Sequence, residues 1–273
     1  MKEVYFDNSA TTMLDKSVLD AMMPYLTECY GNASAIYKIG RDSKRAIEEA
    51  REKVAKVLNC KPSEVYFTSG GSESDNTAIK GIARANRIKG NHIITSKIEH
   101  PAVIETCKEL EKEGFEVSYI GVDENGIINI DELENAIKPE TILISVMFAN
   151  NEIGTVEPIR KIGEIARKNN IYFHTDAVQA VGNLKIDVQE LNIDSLSLSA
   201  HKLYGPKGIG ALYVKTGVNF EKYISGGHQE RNKRSGTENV AGIVGLRKSN
   251  RDSRFNNWWT HRICKKFKRL LWE

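Results

Sequence analysis

From Pro62 onward the chain alternates short, β-branched apolar runs with longer amphipathic stretches, and this alternation limits the fold more than any other feature. The runs Glu64–Thr68, His92–Ser96, Val117–Gly121, Thr141–Phe148, Ile171–Thr175 and Ser195–Ser199 read as strands. Between them Asn76–Lys89, Pro101–Glu113, Asp131–Ile137 and Pro158–Asn169 read as helices. Strands joined through helices need crossover connections. The spacing therefore predicts an α/β fold, a mainly parallel sheet flanked by helices on both faces. Gly208–Lys215 reads as one more strand, added antiparallel. Two helices, Lys16–Tyr30 and Ile39–Asn59, come before the alternation. The second is charged on one side and apolar at Ala46, Ala50, Val54 and Leu58.

This divides the chain into an N-terminal segment 1–15, a large domain 16–246 and a tail 247–273. The tail is basic and contains all three tryptophans. It reads either as an amphipathic extension that touches a membrane or partner, or as a frameshifted end to a longer reading frame. The lack of a sustained heptad or helical moment favours the second. Elsewhere the bulk properties exclude several classes. With 39 Lys+Arg against 36 Asp+Glu the net charge is only +3, which gives no reason to expect a nucleic-acid partner. The longest apolar stretch, Ile142 to Ala149, is far short of the roughly 20 residues that span a bilayer. The N-terminus has neither the basic nor the apolar region of a secretory signal. Four scattered cysteines without a CxxC pair argue against a metal site or disulfide framework, and make a reducing cytoplasm the expected compartment.

Three segments carry chemistry. Thr68-Ser69-Gly70-Gly71-Ser72-Glu73-Ser74-Asp75-Asn76 joins a strand to a helix, where free backbone N–H groups and hydroxyls can cup a phosphate. An ordinary glycine turn with a Ser/Asp N-cap is the plainer alternative. Asp176 ends an apolar strand, where it can pair with a protonated pyridine nitrogen or cap the next helix. Lys202 follows a buried-type strand directly, flanked by Ser199, His201 and a Gly/Pro-rich bend. A desolvated lysine there has the lowered pKa that a Schiff-base nucleophile needs. A solvated loop lysine is the alternative, and the packed strand before it argues otherwise.

The order of glycine/serine cup, His, Asn, Asp and Lys resembles a fold-type I pyridoxal-phosphate (PLP) enzyme. The runs Tyr5-Phe6-Asp7-Asn8-Ser9-Ala10-Thr11-Thr12, Glu99-His100, Asn150-Asn151-Glu152-Ile153-Gly154, His174-Thr175-Asp176-Ala177-Val178-Gln179, Ser199-Ala200-His201-Lys202 and Arg234-Ser235-Gly236-Thr237 are similar to NifS/IscS-type cysteine desulfurases. The likeness extends from about residue 2 to 246. It implies that Gly71, Ser72, Ser199 and His201 hold the cofactor phosphate. His100 would stack on the pyridine ring and relay protons, Asn151 would touch its hydroxyl side, Asp176 its nitrogen and Gln179 its phenolate oxygen. Lys202 would bind the cofactor covalently and then act as base on the substrate α-carbon. Thr237 would reach the phosphate of a neighbouring subunit, implying a homodimer.

The resemblance further implies conversion of L-cysteine to L-alanine, with sulfur passed to an iron–sulfur scaffold or another acceptor. The family's sulfur-carrying cysteine sits on a small-residue loop that this sequence does not show. Cys29 and Cys107 read as helix positions, Cys60 follows a helix end, and Cys264 lies in a basic run. The small C-terminal domain and its carboxylate-binding arginine are likewise not found. An impaired desulfurase is therefore expected, with a non-enzymatic PLP-binding remnant or a transaminase or selenocysteine lyase relative as alternatives.

Overall fold

The computed structural model describes residues 4–249. Helix α1 (Lys16–Thr27) is capped by Asp15, whose carboxylate accepts from the Ser17 N–H. Helix α2 (Lys38–Leu58) buries Ala46, Ala50, Val54 and Leu58, the stripe expected from its pattern. It closes on Asn59 at φ 57°, a left-handed turn that asparagine tolerates.

Strands β1 (Val65–Thr68), β2 (His92–Ser96), β3 (Glu116–Ile120), β4 (Thr141–Ser145), β5 (Tyr172–Asp176), β6 (Ser195–Ser199) and β7 (Gly210–Val214) form one sheet in the order β1-β7-β6-β5-β4-β2-β3. The pairs from β3 to β6 are parallel. β7 runs antiparallel to both β6 and β1, as its position in the sequence suggests.

Helices α3 (Gly71–Ala85), α4 (Pro101–Lys112), α5 (Ile130–Asn135) and α6 (Ile159–Lys168) make the crossovers. Neighbouring residues of β4 show that both sheet faces are covered. Leu143 packs in a cluster with Ile79 and Ile82 of α3 and Val103 of α4. Ile144 packs in the opposite cluster with Val54 of α2 and Ile162 of α6. Strands buried on both sides have no polar face, so their sequences read as continuous apolar runs.

Two elements differ from the sequence reading in ways that matter for function. α3 starts at Gly71 rather than Asn76, so the Gly/Ser cup is the first turn of the helix itself. Gly70, at φ 153°, lets the chain turn straight from β1 into that helix, and low-propensity Gly and Ser hide the start. β4 stops at Ser145 rather than Phe148, yet the N–H groups of Val146 and Phe148 still donate to the carbonyls of His174 and Asp176. The backbone carrying Asp176 is thereby pinned from its neighbour. Cys29 lies just past α1 and not inside it, while Cys107 is within α4.

Residues 240–249 are helical, so the change of composition at 247 falls inside a helix. Arg247 there pairs with Glu49 of α2. The three tryptophans and Cys264 lie outside the described residues. Among the described residues no helix is long and apolar enough to cross a membrane, and no cluster of His, Cys, Asp and Glu is disposed to hold a metal. The chain runs from β2 outward to β3 and returns on the other side as β4. Strand order thus reverses between β2 and β4, and open α/β sheets place ligands beyond the strand ends at such a point.

Candidate active site

Asp176 is the last residue of β5 and is 6% exposed, its Oδ1 accepting from the Val178 N–H at 2.9 Å. Burial raises its pKa; that N–H and the nearby His100 and Lys202 pull the other way. The acid closes a strand rather than capping a helix.

Lys202 ends a short 3-10 turn, Ala200–Lys202, directly after β6. Burial lowers its pKa, partly opposed by Asp7, Asp176 and Glu152. Its Nζ donates to the carbonyls of Ser9 and Ala10, the latter at 2.8 Å. Gln179 Nε2 donates to the same Ser9 carbonyl at 2.9 Å. His201 Nδ1 lies 3.1 Å from Thr11 Oγ1, and Thr12 bonds the His201 carbonyl through both its N–H and its hydroxyl. The N-terminal segment is therefore the wall against which the lysine turn is built. Its motif is legible in the sequence, but this role is not, because carbonyl contacts leave no residue-type signature.

The cup is built with equal care. Gly71 and Ser72 open α3, where the first N–H groups have no acceptor within the helix. Ser199, the last residue of β6, faces them: a Cβ on Gly71 would lie 3.9 Å from Ser199 Cβ and 2.8 Å from Val178 Cγ2. Glu73 braces the turn. It accepts from the Ser69 N–H at 2.9 Å and from Arg234 Nε at 2.9 Å. Burial works against its ionisation, and Arg234 and Ser69 outweigh burial to hold its pKa below the ordinary value.

His100 caps α4, accepting from the Ala102 N–H through Nδ1 at 3.1 Å, which leaves the rest of its ring exposed. His100 is thus the residue that starts the helix, immediately before Pro101. The cap also fixes the ring beside Asp176, whose pKa feels its charge. Asn151 follows β4 in a turn organised by buried Asn150, whose side chain donates to the Ile98 carbonyl and accepts from the Glu152 and Ile153 N–H groups. Thr237 is exposed and lines a small cavity of about 110 Å³ with Ser69, Gly208 and Arg234. Only that shared rim ties it to the cup. A larger cavity, about 560 Å³, opens at the amino ends of the strands around Tyr172, Arg167 and Lys215 and contains none of these groups.

The family model for aminotransferase class-V matches residues 4–254. This chain belongs to the class-V aminotransferases, and within them to the NifS/IscS type. It is 62% identical over 248 residues to the cysteine desulfurase IscS of Methanosarcina thermophila, covering 91% of this chain and 61% of that protein. Against cysteine desulfurase IscS of Clostridium botulinum (strain Hall) the identity is 60%, covering 91% and 62%. The chain thus spans about three-fifths of the length of these curated relatives. Among solved structures, a NifS-like protein superposes with a TM-score of 0.96 at 42% identity, covering 99% of this chain and 74% of that one. A structure described as SspA in complex with cysteine gives 0.89 at 45%, covering 91% and 72%.

The cofactor of this family is pyridoxal phosphate. The donor set fits it. A helix start without a Cβ at Gly71 offers N–H groups to a phosphate, Asp176 is a buried acid for a ring nitrogen, and Lys202 is an amine with its charge disfavoured. The cup tolerates little change behind it. In a Gly210→Ala variant the new Cβ would sit 2.5 Å from the Leu198 carbonyl oxygen and 2.7 Å from Gly70 Cα, both backbone. The variant is expected to lose about 1–3 kcal/mol of stability and to retain PLP poorly. Melting curves and the cofactor content after gel filtration check both.

Proposed function

We propose that this chain carries the cofactor-binding machinery of a cysteine desulfurase, acting on L-cysteine to give L-alanine and passing the sulfur to an acceptor protein such as an iron–sulfur scaffold. The observation that supports it best is the convergence at one end of the sheet of Lys202, Asp176 and the Gly71 helix start. When bound, PLP supplies an electron sink for bonds at the substrate α-carbon.

The chain's own groups divide the remaining work. Gly71, Ser72, Ser199 and His201 hold the phosphate, and Asp176 holds a proton on the ring nitrogen. His100 stacks on the ring from its capped position, while Asn151 and Gln179 face the ring hydroxyl. Gln179 must release the Ser9 carbonyl to do so. Lys202 leaves the Ser9 and Ala10 carbonyls to hold the cofactor, then takes the proton from the substrate α-carbon. Thr237, exposed at the cup's rim, contacts the phosphate of a second copy in a homodimer.

The sulfur step is where the described residues supply least. Burial pushes the Cys60 thiol up to about 12, with Glu64 adding to the effect. Burial pushes Cys107 equally far. A thiol so placed is almost never a thiolate at neutral pH. We therefore expect this chain to load PLP while releasing little sulfide from cysteine under reductant. Sulfide measured against a PLP-only control decides between an impaired desulfurase and a PLP-binding protein without the activity. Robust turnover would show that the cysteine argument is wrong.

A further inference from the structure

Two consecutive residues after β2 point opposite ways. His100 is exposed at the site, whereas Glu99 before it is buried, at 7% exposure. Glu99 Oε1 accepts from the Ser96 hydroxyl at 2.6 Å and from the Met147 N–H at 2.8 Å. Its Oε2 has no hydrogen-bond partner among the described residues.

The bond to Met147 completes the sheet where a strand has run out. β2 pairs with β4 as far as Thr95 and Ser145. Beyond that register the chain after β4 still bonds to β5, with Val146 and Phe148 donating to the carbonyls of His174 and Asp176. Alternate residues of an extended chain bond to opposite neighbours, so the Met147 N–H points towards β2, which has ended at Ser96. The Glu99 carboxyl takes the place of the missing strand. Met147 is buried, so without Glu99 its N–H would be orphaned.

Asn150 makes a second tie between the same two segments, donating to the Ile98 carbonyl at 2.9 Å. Three pieces of chain are thus laced side by side: 98–100 before α4, 146–151 after β4, and the end of β5. They carry His100, Asn151 and Asp176 in turn. Among the described residues the His100 ring bonds only to the Ala102 N–H of its own helix start. Its placement against β5 therefore comes from the backbone that Glu99 ties down. Strand order reverses at this point and the chains diverge there. The spacing of His100 from Asp176 is held by side chains rather than by the sheet ladder.

We propose that Glu99 is a positioning residue for the PLP ring: by clasping the Met147 N–H it holds His100 in place over a ring anchored at Asp176. The inference rests on the cofactor-binding reading above, in which His100 stacks on the ring and Asp176 meets its nitrogen. Glu99 itself touches no part of the ring and acts through His100. Burial pushes the Glu99 carboxyl up to about 8, against its bonds from Ser96 and Met147. Glutamine, neutral and of the same shape, is accordingly the conservative substitute.

Pyridoxamine phosphate is the probe, because it has the ring and the phosphate but no aldehyde for Lys202 to attack. Its Kd is measured near neutral pH for the full chain, Glu99→Gln, Glu99→Met, His100→Ala and the double variant Glu99→Met/His100→Ala. Methionine fills the space of glutamate but cannot accept from the Met147 N–H. His100→Ala is expected to raise Kd by up to about tenfold, the scale of one aromatic stacking contact. Glu99→Met should raise it severalfold, and Glu99→Gln by less than about twofold. The double variant should bind no more weakly than His100→Ala alone. That comparison separates positioning from a general loosening of the fold, which would multiply the two losses. The circular dichroism of bound pyridoxal phosphate gives a second reading, since it reports how firmly the ring is oriented. Its band should fall in Glu99→Met and His100→Ala and persist in Glu99→Gln.

Multiplied losses in the double variant overturn the proposal. So does a Glu99→Met or His100→Ala protein that binds like the parent, because Glu99 would then have nothing to act through. A Glu99→Gln protein as weak as Glu99→Met also overturns it, since glutamine keeps the acceptor. Should Glu99→Met fail to fold, Glu99→Asp goes through the same cycle, its acid drawn back from Met147 by one methylene. A parent that binds no pyridoxamine phosphate brings down the cofactor reading and this inference with it, whereas a binding parent with multiplied losses removes this inference alone.

Discussion

Lys202→Ala protein incubated with pyridoxal phosphate and passed through a desalting column is expected to emerge colourless, while the parent stays yellow. The reason is local. β6 delivers the chain to a 3-10 turn that can present only one amine at the strand end, and that amine is Lys202. Burial disfavours its charge, which favours the neutral amine that a Schiff-base nucleophile needs. The cup and Asp176 remain in the variant, so weak, reversible binding should persist and should be visible at equilibrium before the column. Borohydride reduction of the parent should fix the label on the peptide containing Lys202. Lys202→Arg separates charge from nucleophile: it keeps the cation near Asp176 yet is expected to be as colourless as the alanine variant. Identical visible spectra for parent and Lys202→Ala would remove the central claim about the site.

The second large effect concerns stability. Arg51 of α2 makes a two-pronged bond to Glu230, Nη1 to Oε2 at 2.7 Å and Nη2 to Oε1 at 2.8 Å, with both side chains buried. Arg51 Nη1 also donates to the Val65 carbonyl, and Glu230 accepts from the Phe67 N–H at 3.0 Å. β1, α2 and the segment after residue 226 are thus joined at one point. Glu230, Arg231 and Asn232 have φ of 44°, 56° and 65°, three successive left-handed residues without a glycine. Each costs roughly 1 kcal/mol, so the ion pair holds a strained turn that leads directly to Arg234 and Thr237. Glu230→Gln keeps the shape and leaves the buried guanidinium with only the half-exposed Glu48, 3.2 Å from Arg51 Nε, as counter-charge, which should cost up to about 3–5 kcal/mol and lower Tm by on the order of 10 °C. Arg51→Met with Glu230→Leu removes both charges and should be less damaging than either single change. Thermal melts of the singles and the double read the coupling. Additive losses would mean that the pair is not a unit.

Much of the fold and site was legible in advance because it depends on short-range signals. Alternating runs set the α/β class, and the strands at His92–Ser96 and Ser195–Ser199 fall where the pattern placed them. Lys202 and Asp176 were recognisable because each is a charged residue at the end of an apolar run, a combination that burial makes unusual. The start of α3 was hidden, since Gly and Ser are poor helix formers that only the turn at Gly70 admits into a helix.

The sequence by itself determined the class of sheet and the family, and it singled out the residues proposed to take PLP. Only the tertiary structure decided what stands behind those residues. The Ser9 and Ala10 carbonyls meet Lys202 across more than 190 positions of chain. Arg234 reaches Glu73 across 161, and Asp75 finds His174 from a different layer of the fold. Contacts over such separations follow no local period; they arise from helix packing on the sheet, which no run of neighbouring residues specifies. Lys202 is thus the residue that the sequence singles out, and its carbonyl wall and the clasp of Glu99 on Met147 are what folding adds.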